Sequence, residues 1–162
     1  MTDTINKIAL VTGGSRGLGK DMALQLAKKG FDIILTYQTK SEYAQEVVNE
    51  INKTGKKAFA MQLDVANASS FDQFATTLAT TLKNEFHAET LSALANNAGV
   101  GVHASYAETT IEQFDSMVNI HLKGAFFLTQ KLSQLAKFAK TRLTLSPNGL
   151  DYFNNAVYLK VD

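Results

Sequence analysis

The chain has 162 residues, 45% of them hydrophobic, with 16 basic and 15 acidic side chains and a net charge of +1. That is enough material for one globular domain with its own core, and the scattered basic residues exclude an extended nucleic-acid or anionic-membrane surface. With no cysteine, a disulfide scaffold and a thiolate metal site are excluded and no metal is expected. The polar first residues lack a signal-peptide run, and no stretch nears the ~20 apolar residues of a membrane span. A soluble, cytoplasmic domain is expected.

Apolar runs alternate with amphipathic segments along the chain. Residues 8–11 form a first strand, followed by a glycine-rich turn and a helix over 18–29, with Leu18, Met22 and Leu26 at helical spacing and Gly30 as the stop. A second strand (33–37), a second helix (41–53, ended by Gly55) and a third strand (58–63) follow. A third helix over 70–86 places Phe71, Phe74 and Leu78 on one face. Residues 91–95 form a weaker fourth strand, since Ser92 and Ala93 are poor strand formers. A long helix then runs over 112–137, with Thr109 and Glu112 as its capping box, and 142–145 form a short fifth strand. Strands alternating with helices of this length predict an α/β fold, a doubly wound Rossmann-like parallel sheet of about five strands in the order 3-2-1-4-5. Residues 1–140 are expected to form the dinucleotide-binding domain and 141–162 a divergent tail.

The turn supports two phosphate-loop readings. Gly14 to Lys20 nearly spells GxxxxGK[ST], the triphosphate loop, whereas Thr12-Gly13-x-x-x-Gly17-x-Gly19 spells a dinucleotide turn. The triphosphate loop needs Ser or Thr at position 21 to hold Mg²⁺. Asp21 stands there, a carboxylate expected in the helix's first turn, where it would repel phosphate. Gly13, Gly17 and Gly19 supply the tight turn, backbone approach and helix packing that a pyrophosphate site needs.

"TGGSRGLG" resembles the cofactor loop of the short-chain dehydrogenases/reductases, and three further pieces agree in order and spacing. "LDV" at Leu63-Asp64-Val65 resembles the family's adenine-contacting acid. "NNAG" at Asn96-Asn97-Ala98-Gly99 resembles its signature after the fourth strand. "MVNIHLKGAFFLTQ" resembles the helix carrying its active-site asparagine, here Asn119. The resemblance implies an oxidoreductase that transfers hydride between a nicotinamide cofactor and a small alcohol or carbonyl. Its cofactor would be lined by Gly13, Ser15, Arg16, Gly17, Leu18, Gly19, Tyr37, Lys40, Asp64, Val65, Asn97, Ala98 and Gly99. NAD selectivity rests on a carboxylate at the end of the second strand; this strand ends Tyr37-Gln38-Thr39-Lys40, and Arg16 and Lys40 are the nearby cations. NADP is therefore expected over NAD.

The family pairs a tyrosine with a lysine four residues on, and a serine orients the substrate. Of the five tyrosines here (Tyr37, Tyr43, Tyr106, Tyr152 and Tyr158), none is followed by lysine at the fourth position. "RLTLSPNGL" resembles the serine strand and would make Ser146 that serine, although Pro147 departs from the pattern. Residues 151–162 resemble nothing in the family, as expected of a truncation or frame change near residue 140. Two readings follow: an NADP-dependent oxidoreductase by lineage, or an inactive truncated remnant retaining at most NADP binding. An uncovered sheet edge and an over-apolar long helix predict homo-oligomerisation or association.

Overall fold

The computed structural model describes residues 7–135 and 157–158. The expected strand over 142–145 and Ser146 lie outside the described residues. Four parallel strands form the sheet: β1 (Ile8–Val11), β2 (Asp32–Tyr37), β3 (Ala58–Gln62) and β4 (Ala93–Asn96), in the order β3-β2-β1-β4. β1 is interior, with Ala9 paired to Ile33 on one side and Ala93 on the other. A fifth strand, β5 (Val157–Tyr158), lies beside β4, but antiparallel. The four strands expected to be parallel are so, and β5 is a separate segment from the expected strand over 142–145. Antiparallel pairing forms close hydrogen-bonded pairs even over two residues, and the outer edge of β4 offers the unpaired groups.

Because side chains alternate across a strand, β1 supplies both faces of the sheet. Ile8 and Leu10 join Ile34, Phe71, Phe74, Leu78, Leu128 and Leu132 in one core. Ala9 and Val11 join Ile33, Leu35, Ala23, Ala27, Val47 and Ile51 in the other. The first core is roofed by α3 (Phe71–Phe86) and α5 (Ala125–Leu132), the second by α1 (Gly17–Lys28) and α2 (Ser41–Asn52). Phe71, Phe74 and Leu78 share the buried face as expected.

Two helices depart from their sequence pattern. In α1 the buried row is Gly19, Ala23 and Ala27, while Leu18 is 48% exposed. Small side chains let the helix axis approach the sheet, and that approach outranks the larger apolar row one position earlier. The expected long helix is divided into α4 (Ile111–Val118), a π-helical segment (Asn119–Gly124), α5 and a 3₁₀ turn (Ser133–Leu135). Its capping box is Thr110 with Gln113, not Thr109 with Glu112: the Gln113 N–H donates to the Thr110 hydroxyl at 3.2 Å and the Thr110 N–H to Gln113 Oε1 at 3.0 Å. The Thr109 hydroxyl is engaged elsewhere, donating to the Ser105 carbonyl at 2.8 Å. Among the described residues, no helix is long and apolar enough to cross a membrane.

Candidate functional site

The site forms where β1 and β4 end, beside the start of α1. Thr12, the residue after β1, is 1% exposed and ties the two strand ends together. Its hydroxyl accepts the N–H groups of Asn97 (2.9 Å) and Ala98 (3.0 Å) and donates to the Ala95 carbonyl at 3.3 Å. The Asn97 side-chain amide returns the tie, donating to the carbonyls of Thr12 (2.9 Å) and Gly13 (3.3 Å). Thr36 braces the other side, its hydroxyl accepting the Gly13 N–H at 3.1 Å. The loop after β4 is thereby fastened to the glycine turn by a closed set of hydrogen bonds.

Glycine is required at specific places in this turn. Gly13 and Gly17 have φ of 64° and 55°, the left-handed region that side chains disfavour. A Cβ on Gly13 would also lie 2.9 Å from the Ala98 Cα. At Gly19 a Cβ would strike the Gly13 carbonyl and the Asn97 amide, so α1 can begin this close to the loop only without a side chain.

Arg16 is the N-cap of α1 and makes no capping bond with its side chain, and the first turn holds no acid. The leading N–H groups of a helix lack intrahelical partners and carry the positive end of its dipole. Asp21, expected in that first turn, lies just past it and is exposed.

These groups border a cleft of about 370 Å³. Gly13, Ser15, Arg16, Gly17, Leu18 and Gly19 line it from the turn, Tyr37 from the end of β2, Asp64 and Val65 from the loop after β3, and Asn97, Ala98 and Gly99 from the loop after β4. Of the residues expected at a cofactor, Lys40 alone stands outside this lining. It is exposed, with Nζ 5.3 Å from the centre of the Tyr43 ring. Asn119 opens the π-helical segment and is partly buried; its neighbour Ile120, not Asn119 itself, lines the cleft. The segment is drawn in by Gly124, where a Cβ would strike the Val65 carbonyl.

Thr36, Gln38, Leu63, Val100 and Ile120 complete the lining and lie outside the set expected at the cofactor, although Gln38 and Leu63 belong to stretches the sequence marks. Gln38 had a signal, because it stands where a selective carboxylate would. Thr12 was visible as the first letter of the turn, but the glycines carried the argument. A larger open groove of about 570 Å³ runs along β3 and α3 and shares Gln38, Leu63 and Asp64 with the cleft. It contains none of the glycine turn, so the smaller cleft holds the convergent backbone donors.

Residues 7–143 match the family model described as short chain dehydrogenase, and the chain belongs to that family. A hydroxynaphthalene reductase-like protein, Arp2, of Metarhizium brunneum is 36% identical over 124 residues, 76% of this chain and 44% of the relative. The 3-oxoacyl-[acyl-carrier-protein] reductase of Synechocystis sp. is 37% identical over 135 residues, 83% of this chain and 52% of the relative. Among solved structures, the angucycline C-6 ketoreductase LanV with bound NADP matches with a TM-score of 0.76 at 35% identity, covering 80% of this chain and 51% of that one. The chain thus spans about half the length of the curated relatives it matches.

Proposed function

We propose that this chain carries the NADP-binding part of an oxidoreductase acting on a small alcohol or carbonyl compound. The observation that carries the reading is the first turn of α1, without a side-chain cap or an acid, opening on a cleft that contains Arg16 and has Gln38 rather than a carboxylate at the end of β2. The cradle suits a pyrophosphate: Gly13, Gly17 and Gly19 keep side chains out, while Ser15, Leu18 and Gly19 present backbone near the helix start. Arg16 would meet a 2′-phosphate with its planar fork of donors. Tyr37 would border the ribose, Asp64 and Val65 the adenine, and Asn97, Ala98 and Gly99 the opposite wall. Asn119 and Ser146 are assigned to the reaction end on resemblance to the family. When bound, the nicotinamide supplies or accepts the hydride. No tyrosine of the 162 residues has a lysine four places on, so cofactor binding, and not proton donation, is what we assign to the described residues.

Calorimetric titration of the parent chain and Arg16→Ala with NADP and NAD tests this. A charge-assisted contact contributes about 1.5–3 kcal/mol, so Arg16→Ala should weaken NADP by roughly 10- to 100-fold and leave NAD nearly unchanged. Equal affinity of the parent chain for both cofactors would overturn the assignment.

A further inference from the structure

The family resemblance directs attention to Asn119, but the side chain of the π-helical segment that reaches the cleft's loop is that of His121. Its Nε2 lies 2.7 Å from the Val100 carbonyl oxygen and 3.4 Å from the Val100 nitrogen. One ring nitrogen cannot serve both. A bare lone pair at 2.7 Å from a carbonyl oxygen would be repelled, so Nε2 carries the hydrogen and donates to that oxygen. The ring also lies against Gly99, where a Cβ would come within 2.5 Å of the ring's Cε1 and 3.1 Å of its Nδ1. The pairing is therefore doubly matched: the loop supplies an acceptor at Val100 and, at Gly99, a place with no side chain.

Val100 and Ile120, the residue before His121, both line the cleft. From this arrangement we infer that His121 is a positioning residue for the cofactor, holding the loop of Asn97 to Val100 at a fixed distance from the π-helical segment through its Nε2–H bond to Val100. The inference rests on the cofactor reading above. Thr12 fastens one end of this loop and His121 the other, so the loop is held before any ligand arrives. A wall already in place does not have to be ordered on binding, and that preorganisation raises affinity.

Two substitutions separate the bond from the ring's bulk. His121→Phe keeps a flat ring against Gly99 and removes the donor; His121→Gln keeps an N–H donor and removes the ring. Titrated with NADP, the Phe variant should bind about tenfold more weakly than the parent, the loss expected for one hydrogen bond, and the Gln variant within about threefold. A role confined to packing would reverse that ranking. Imidazole ¹⁵N NMR of the cofactor-free full chain gives an independent readout, with neutral His121 expected in the Nε2–H tautomer. Parent-like NADP binding by His121→Phe, or an Nδ1–H tautomer, would overturn the inference. Should the Phe variant not fold, a loss of tenfold or more in His121→Gln would do the same. A parent chain that does not bind NADP sinks the cofactor reading instead, and the tautomer then decides whether the loop is held as described.

Discussion

Replacing Thr12 by valine separates two accounts of why a fully buried threonine stands at the end of β1. Valine has the same shape and is more apolar, so burial alone predicts a gain at a position 1% exposed. The hydrogen-bond account predicts a loss. Without the hydroxyl, the Ala98 N–H loses its acceptor at 3.0 Å. The Asn97 N–H keeps only its second partner, the Ala95 carbonyl at 3.0 Å, which the Thr12 N–H also uses. Leaving one partly buried donor unpaired costs about 1–3 kcal/mol and weakening a second adds less, so about 2 kcal/mol is expected in total. Against an ordinary stability of roughly 5–15 kcal/mol, that is a drop in melting temperature of roughly 4–8 °C.

Thr12→Ser supplies the control, because it keeps the hydroxyl and loses one methyl, at about 1 kcal/mol. The chain has no tryptophan, so urea unfolding is best followed by far-UV circular dichroism, with an unchanged slope showing that the denatured state is unaltered. The expected order of stability is parent, then serine, then valine, with NADP affinity falling most in the valine variant as the Asn97–Ala98 wall loosens. A valine variant as stable as the parent would refute the account.

Gly19→Ala should prevent NADP binding and destabilise by about 1–3 kcal/mol through overpacking, since its Cβ meets the Gly13 carbonyl and the Asn97 amide; titration and urea unfolding check both. The carboxyl of Glu112 is held below its ordinary value of 4.5 by its own backbone N–H and then by the Thr110 hydroxyl, against a small opposing effect of burial. A depressed folded-state pKa means that its contribution is present above the ordinary glutamate range and lost as pH falls through the depressed value; an NMR titration of Glu112 should show the lowered midpoint, and Thr110→Ala should raise it. Ile111, Phe114, Leu122 and Phe126 are each more than 60% exposed on α4, the π-helical segment and α5. Phe114→Ser with Phe126→Ser should therefore lower the apparent mass found by light scattering, and a parent chain that is already a clean monomer would remove the argument.

The strands were legible because period-two alternation and continuous apolar runs translate directly into two-sided burial, as Ile8–Val11 shows. Helix faces were harder. Counting apolar residues favours Leu18, Met22 and Leu26, but the packing contact is set by distance of approach, and Gly19, Ala23 and Ala27 permit the closer one. Thr109 and Thr110 both begin an S/T-x-x-E/Q pattern, one residue apart, and only tertiary surroundings show that Thr109 spends its hydroxyl on Ser105. The π-helical widening at Asn119–Gly124 has no signature in apolar spacing, and the close approach of Gly124 to Val65 within it is a tertiary contact. Sequence proximity also cannot show that Lys40 lies over the Tyr43 ring, since that contact depends on how α2 begins.

In the choice between two phosphate loops, the structure moves the weight from one residue to its neighbour. Asp21 was the sequence argument against a triphosphate site, on the premise that it occupies the first turn of α1; it lies beyond that turn and faces solvent. The stronger discriminator is Lys20. A triphosphate loop needs this lysine on the β- and γ-phosphates, whereas Lys20 Nζ is 2.8 Å from the Glu50 carboxylate on α2 and lies outside the cleft lining. It joins α1 to α2 as an ion pair at the surface. The cleft is left with Arg16 at the helix start and Gly13, Gly17 and Gly19 in its lining, the arrangement on which the proposed pyrophosphate site rests. Spacing alone admits both loops; the pairing of Lys20 with Glu50, outside the cleft lining, favours the dinucleotide one.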